Sequence, residues 1–187
     1  LGTMGAGMAG NLVRAGYIVF VHDVFPASAD PLVAQGAIWS ASPQELSREA
    51  EVIFTSLPGP REVEEVAAGI LSGAKPGSIY VDLSTSSPTL IRRLYDQFAA
   101  AGISVLDAPV SGGVQGSRDG TLAVWAGGDE DAWQRVEPVI RAFSKSPYYC
   151  GPVGSGSVVK LVHNIGFYGV GACLLYTSPS PRDKRQS

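Results

Sequence analysis

Short apolar runs alternate along the chain with longer stretches whose apolar residues recur every three or four positions. The runs are Ile18–His22, Val52–Leu57, Ile79–Leu83, Ser104–Leu106 and Leu122–Trp125. They are near-continuously apolar rather than alternating, which predicts strands covered on both faces. Helix starts are marked chemically. Ser42-Pro43-Gln44-Glu45 combines an N-cap serine, a proline at the first helical position and a glutamate three residues past the cap. Ser87-Pro88 opens a second helix, in which Leu90, Leu94 and Phe98 keep a helical spacing until Gly102. Asp129–Phe143 predicts a third, with Trp133, Val136 and Ile140 on one side, and Pro138 is expected to kink or shorten it. An earlier helix, about Met4 to Ala15, closes at Gly16, a residue suited to a left-handed cap. Strand and helix alternating in this way is the pattern of a doubly wound α/β domain with a parallel sheet. Residues 1–153 form that domain, and 154–172 begin a new helix.

The 187 residues suffice for one domain with a proper core, and 45% hydrophobic with 17% charged residues suits a globular chain. A net charge of −3 leaves no basic excess for phosphates, so nucleic acid is not expected as a partner. No uninterrupted apolar run approaches the ~20 residues that span a bilayer, and no signal peptide opens the chain, so no membrane partner and a cytoplasmic location are expected. Cys150 and Cys173 are too few for a disulfide framework or a zinc cluster, and no metal site is expected. Leu1 falls inside a glycine-rich loop, which implies that a first strand, normally central in such a sheet, is missing. Periodicity is lost after Leu175, and residues 173–187 are read as a non-native tail without function.

Leu1-Gly2-Thr3-Met4-Gly5 looks like the latter part of the Rossmann fingerprint G-x-G-x-x-G. Glycine is needed there because a side chain would hold the backbone away from a pyrophosphate, while the following helix points its N–H groups and positive dipole end at the phosphates. The next strand ends in an acidic residue, Asp23. A carboxylate there can accept both ribose hydroxyls of NAD and would repel the 2′-phosphate of NADP. No Arg or Lys lies between Tyr17 and Pro31 to hold such a phosphate. NAD is the expected cofactor, ahead of NADP.

Three motifs carry a family resemblance. Leu1-Gly-Thr-Met-Gly-Ala-Gly-Met-Ala-Gly-Asn-Leu12 resembles the opening of 3-hydroxyisobutyrate dehydrogenases and related β-hydroxyacid dehydrogenases. Asp107-Ala-Pro-Val-Ser-Gly-Gly-Val-Gln-Gly116 is similar to their substrate loop, and Gly154-Ser-Gly-Ser-Val-Val-Lys-Leu-Val-His-Asn164 to their catalytic helix. The resemblance covers about residues 1–172. It implies that Lys160 is the catalytic lysine and Asn164 the residue that orients it or the substrate. It also implies that Ser111, Gly112 and Gly113 hold a small carboxylate substrate, and that Gly2, Thr3, Met4, Gly5, Leu57, Pro58 and Thr85 line the cofactor site. The chemistry agrees: successive N–H groups in a Ser-Gly-Gly turn can form an anion nest, and a lysine can serve as acid in one direction and base in the other. The implied reaction is hydride transfer between NAD(P) and the alcohol or carbonyl of a small β-hydroxyacid, such as 3-hydroxyisobutyrate or 2-hydroxy-3-oxopropionate.

His163 departs from the asparagine that many members carry. It is read as a substrate contact or a support for Asn164, with a packing role the competing reading. Lys160-x-x-His163-Asn164 also looks like the catalytic helix of decarboxylating 6-phosphogluconate dehydrogenases, but Phe167 stands where those enzymes have a glutamate acid. A non-catalytic NAD-binding fragment is the remaining alternative. The family's second, all-helical domain is missing from this sequence; it would close the site and form a homo-oligomer in the full-length protein, so the chain alone is expected to be inactive.

Overall fold

Helices begin where the sequence places their caps. In the computed structural model, which describes residues 1–177, Ser42 Oγ accepts from Glu45 N–H at 3.1 Å, and the Glu45 carboxylate reaches back to Ala41 N–H at 2.8 Å. Ser87 Oγ likewise accepts from Leu90 N–H at 3.2 Å. Each serine satisfies a donor that the first turn cannot pair internally.

In chain order the elements are α1 (Gly5–Arg14), β1 (Phe20–Val21), α2 (Asp30–Val33), β2 (Ile38–Trp39), α3 (Pro43–Glu49), β3 (Val52–Thr55), α4 (Pro60–Gly73), β4 (Ile79–Asp82) and α5 (Pro88–Ala99). There follow β5 (Ser104–Asp107), β6 (Val110–Ser111), α6 (Gly113–Asp119), β7 (Leu122–Gly128), α7 (Glu130–Ile140), β8 (Ser144–Gly151) and α8 (Ser155–Thr177). Strands β3, β4 and β5 are parallel neighbours. All four residues of β4 are buried, as a strand covered on both faces must be. Ile79 and Val81 face one cluster with Met8, Leu122, Val136 and Phe143. Tyr80 faces the other, with Val63, Ile91 and Phe98 from α4 and α5.

The Rossmann-type α/β sheet is present, and two features go beyond the expected parallel order. Past β5 the sheet is mixed: β7 runs antiparallel to β5 and β6, and β8 then runs parallel to β7. The helix between them is the physical reason. The seven residues of α6 advance only about 10 Å at 1.5 Å each. The seven residues of β7 need about 23 Å. Such a helix cannot carry the chain back along the sheet for a parallel return. The sheet is also split: β1 and β2 pair only with each other, and no ladder joins β1 to β3 among the described residues. A central break is where a first strand was expected.

Helix α7 stops at Ile140, short of the expected Phe143, with Pro138 in its last turn. The C-terminal end departs from the expected bounds in one respect. Residues 173–177 continue α8 rather than leaving it, while the rest of the expected tail, 178–187, lies outside the described residues. Helix α8 is also long and apolar enough to cross a membrane by length and composition. Lys160, His163 and Asn164 interrupt the run in the sequence, yet the Val, Leu, Ile, Phe and Ala around them dominate its average. Its first turns pack on β7 and bury Gly156, Ser157 and Lys160, while most of its later residues are exposed.

Candidate active site

The glycine loop enters α1 without a side-chain cap, and no acidic residue stands in the first turn, so its N-terminal donors face no competing carboxylate of their own helix. Gly2 and Thr3 are exposed, and a Cβ at Gly2 would meet open space. That arrangement fits a dinucleotide phosphate approaching the helix end. At Gly5 a Cβ would make only ordinary contact with Ser56, 3.8 Å away. The close approach falls instead at Gly7, which the sequence reading missed: a Cβ there would collide with Ser117. Ser117 Oγ donates to Met4 O at 2.5 Å, and Asn11 Nδ2 donates to Ser117 O at 2.7 Å, so α6 is fastened to the glycine loop.

Asp23 follows β1 and lies beside the same loop. Its carboxylate accepts from the Leu1 ammonium at 2.5 Å and from Phe25 N–H at 2.8 Å. Burial pushes its pKa up, but the hydrogen bonds from the ammonium and Phe25, with the charges of the ammonium and His22, outweigh it and hold the carboxyl below the ordinary 3.8.

Two further loops flank this region, and a buried carboxylate ties them. Leu57 N–H donates to Ser84 Oγ at 2.9 Å, joining the loop after β3 to the loop after β4. Asp82, 1% exposed, accepts from Thr55 Oγ1, Ser84 N–H and Ser86 Oγ at 3.0, 3.0 and 2.8 Å. Thr55 has one hydroxyl proton and spends it on Asp82, so Tyr80 is the donor in its 3.0 Å contact with Thr55. Burial, helped by the Asp82 charge, drives the Tyr80 phenol far upward and keeps it protonated. Pro58 and Thr85 stand exposed on the two loops so fixed. Asp82 was not singled out from sequence; an aspartate ending an apolar strand was its only signal.

The residues expected on the substrate side, with their neighbours, come from five elements, β5, β6, α6, β7 and α8. Gly112 and Gly113 have φ of +130° and +64°, values that favour glycine, and they turn the chain from Ser111 into α6. Asp107 is 1% exposed and accepts from Gly154 N–H at 2.7 Å and Ser157 N–H at 2.6 Å, capping α8. Burial raises its pKa, with those two hydrogen bonds pulling the other way. On α8, Lys160 is buried, and burial lowers its pKa from the ordinary 10.5. Its Nζ lies 5.7 Å from the centre of the Trp125 ring. His163 packs against the same ring, tilted by 44° with centroids 4.8 Å apart, and meets Ser111 Oγ through Nε2 at 3.3 Å. Ser111, Lys160 and His163 are therefore brought together. Asn164 lies one turn past Lys160, half-buried, and no hydrogen bond joins the two among the described residues. Asp107 and Trp125 were not read as site residues, because nothing local marks a cap or a ring contact across so much chain.

Residues 1–153 match the family described as the NAD binding domain of 6-phosphogluconate dehydrogenase. The chain is similar to the 2-(hydroxymethyl)glutarate dehydrogenase of Eubacterium barkeri, 38% identical over 168 residues, covering 88% of this chain and 56% of that protein. It is similar in structure to the 3-hydroxyisobutyrate dehydrogenase of Mycobacterium tuberculosis with L-serine, at a TM-score of 0.85 and 37% identity, covering 89% of this chain and 57% of that one. Psf3 in complex with NADP+ and 2-OPP matches at a TM-score of 0.85 and 28% identity, covering 100% of this chain and 69% of that one. The chain spans 65% and 56% of the length of two curated relatives that it matches.

Proposed function

The chain belongs to the family of the NAD binding domain of 6-phosphogluconate dehydrogenase, and from that premise we propose that it is the cofactor-binding part of a β-hydroxyacid dehydrogenase. The substrate class is a carboxylate bearing a hydroxymethyl group on its α-carbon, HOCH2–CHR–COO−. 3-Hydroxyisobutyrate, L-serine and 2-(hydroxymethyl)glutarate, named for two relatives, share that skeleton and differ only in R. The observation that carries the reading is the buried lysine on α8, gathered with His163 and Ser111 beside the Ser111–Gly113 turn.

The Ser111-Gly112-Gly113 turn binds the substrate carboxylate through its N–H groups, and His163 supports it from α8. Lys160, neutral, accepts the hydroxyl proton as the C–O bond becomes C=O; in reduction it returns that proton to the alkoxide. Burial favours the neutral amine by lowering its pKa. The nicotinamide, when bound, supplies the hydride acceptor for the carbinol C–H. Gly2, Thr3, Met4 and Gly5 with the start of α1 would hold the pyrophosphate, Asp23 the ribose, and Leu57, Pro58 and Thr85 the nicotinamide side. Asp23 favours NAD over NADP.

The test is kinetic, in the full-length reading frame with NAD and short β-hydroxyacids. Lys160→Ala should lower kcat by about 10²–10⁴-fold with NAD affinity unchanged. Lys160→Arg should not restore it, since a guanidinium stays protonated. His163→Ala should be milder. A crippled His163→Ala beside a nearly normal Lys160→Ala would make histidine the acid. Release of CO2 in place of an aldehyde would favour the decarboxylating chemistry that Lys160-x-x-His163-Asn164 also resembles.

A further inference from the structure

Strand β7 presents two faces of different character. Leu122, Val124 and Ala126 are buried in the core, while Ala123 and Trp125 are half-buried. Helix α8 lies against this strand with no clearance at Gly156, where a Cβ would collide with the carbonyl oxygens of Trp125 and Asp107. One helical turn later Lys160 returns to the same side, and His163 follows at the next. Both meet the indole, the ammonium at 5.7 Å from its centre and the imidazole at 4.8 Å with a tilt of 44°.

The lysine's surroundings give this contact its weight. Lys160 is 8% exposed, and among the described residues no carboxylate pairs with it. A buried ammonium without a counter-ion is costly; when the lysine is protonated, the negative face of an indole offsets part of that cost without supplying a carboxylate that would hold the proton there. With Gly156 fixing the helix on the strand, Trp125 bounds the lysine side chain on one side, and His163, which meets the same ring, reaches Ser111.

We propose that Trp125 is a positioning residue for proton transfer: its indole face holds the Lys160 ammonium and the His163 imidazole side by side next to the Ser111–Gly113 turn. This rests on the reading of Lys160 as the acid–base group, but the ring contact can be tested without any reaction. In full-length enzyme with lysines reductively methylated with ¹³C, a methyl group over an indole face resonates upfield of exposed ones. The signal that disappears in Lys160→Arg should be upfield-shifted in the wild type. It should return to the ordinary lysine position in Trp125→Leu and stay partly shifted in Trp125→Phe. In unmethylated enzyme, Trp125→Leu should lower kcat by about tenfold with the KM for NAD unchanged, and Trp125→Phe should recover much of the loss. The phenylalanine variant keeps the test decisive if the leucine variant fails to fold. An unshifted Lys160 signal in the wild type overturns the proposal alone. A shifted signal with a fully active Lys160→Ala overturns the acid–base reading and the proposal with it. A Trp125→Leu enzyme within twofold of wild-type kcat overturns the positioning role and leaves the acid–base reading standing.

Discussion

On the side proposed for the cofactor, Gly2, Thr3, Pro58 and Thr85 are exposed, and what they offer is backbone placed by loops. On the lysine side, Asp107 and Lys160 are 1% and 8% exposed, and what they offer is ionisable groups removed from water. The carboxylates of the two sides show the difference. Asp23 is half-buried beside its loop and accepts from Phe25 N–H at 2.8 Å. Asp107 is pushed above its ordinary pKa because burial outweighs two backbone hydrogen bonds. A side built from exposed backbone tolerates change in its side chains. One built from buried ionisable groups depends on every partner, since an unpaired buried group costs its full desolvation.

The largest expected effect follows from that dependence. Asp107→Ala leaves the Gly154 and Ser157 N–H groups without their acceptor at the start of α8. It should lower unfolding stability by about 2–4 kcal/mol, read by chemical denaturation. Asp107→Asn sharpens the point through pH. Because the folded-state pKa of Asp107 is raised, the native state binds more protons than the unfolded chain between the two values, and stability falls as pH rises above 3.8 through the folded pKa. The asparagine variant should lose that slope; if it keeps the slope, another group carries it.

Next comes the glycine helix. Gly7→Ala must displace Ser117 and should destabilise by about 1–3 kcal/mol, whereas Gly5→Ala meets only ordinary contact with Ser56. Equal melting temperatures for the two variants would contradict the close approach at Gly7. Asp23→Ser with Val24→Arg should move cofactor preference toward NADP by about tenfold, a change of about 1.4 kcal/mol. Steady-state kinetics with both cofactors read it, and a wild-type preference for NADP would refute the role given to Asp23. The smallest effect belongs to the end of α8. Tyr176→Ser should change the stability of this chain by less than about 0.5 kcal/mol, because Tyr176 is 94% exposed. A larger loss would mean that this turn packs against something.

Features that depend on neighbours in sequence were legible in advance. The Ser42 and Ser87 caps, the strand cores of β3, β4, β5 and β7, and the glycine loop with Asp23 all follow from a few adjacent residues. The missed features join residues far apart. Asp107 caps a helix that begins near residue 154, and Asp82 fastens two loops through Thr55, Ser84 and Ser86. Gly7 was passed over for Gly5 because the motif counts glycines, while the contact is made by Ser117, which lies on another helix. Helix α8 was ended at residue 172 because 173–187 were set aside as a non-native tail, although a continuous backbone ladder carries it to Thr177.

The sequence by itself determined the α/β class, the helix starts and the residue types that carry chemistry, because hydrophobic periodicity and caps act within one or two turns of chain. Only the tertiary structure decided that the sheet turns mixed after β5, because the reach of α6 must be set against the length of β7. It also decided which charges are buried. The resemblance names Lys160 as the catalytic lysine, but its burial appears only when α8 is laid on β7, where Gly156 removes the clearance and the side-chain nitrogen lies over Trp125. Burial and ring contact are properties of neighbours in space, and those neighbours lie some 35 residues apart along the chain.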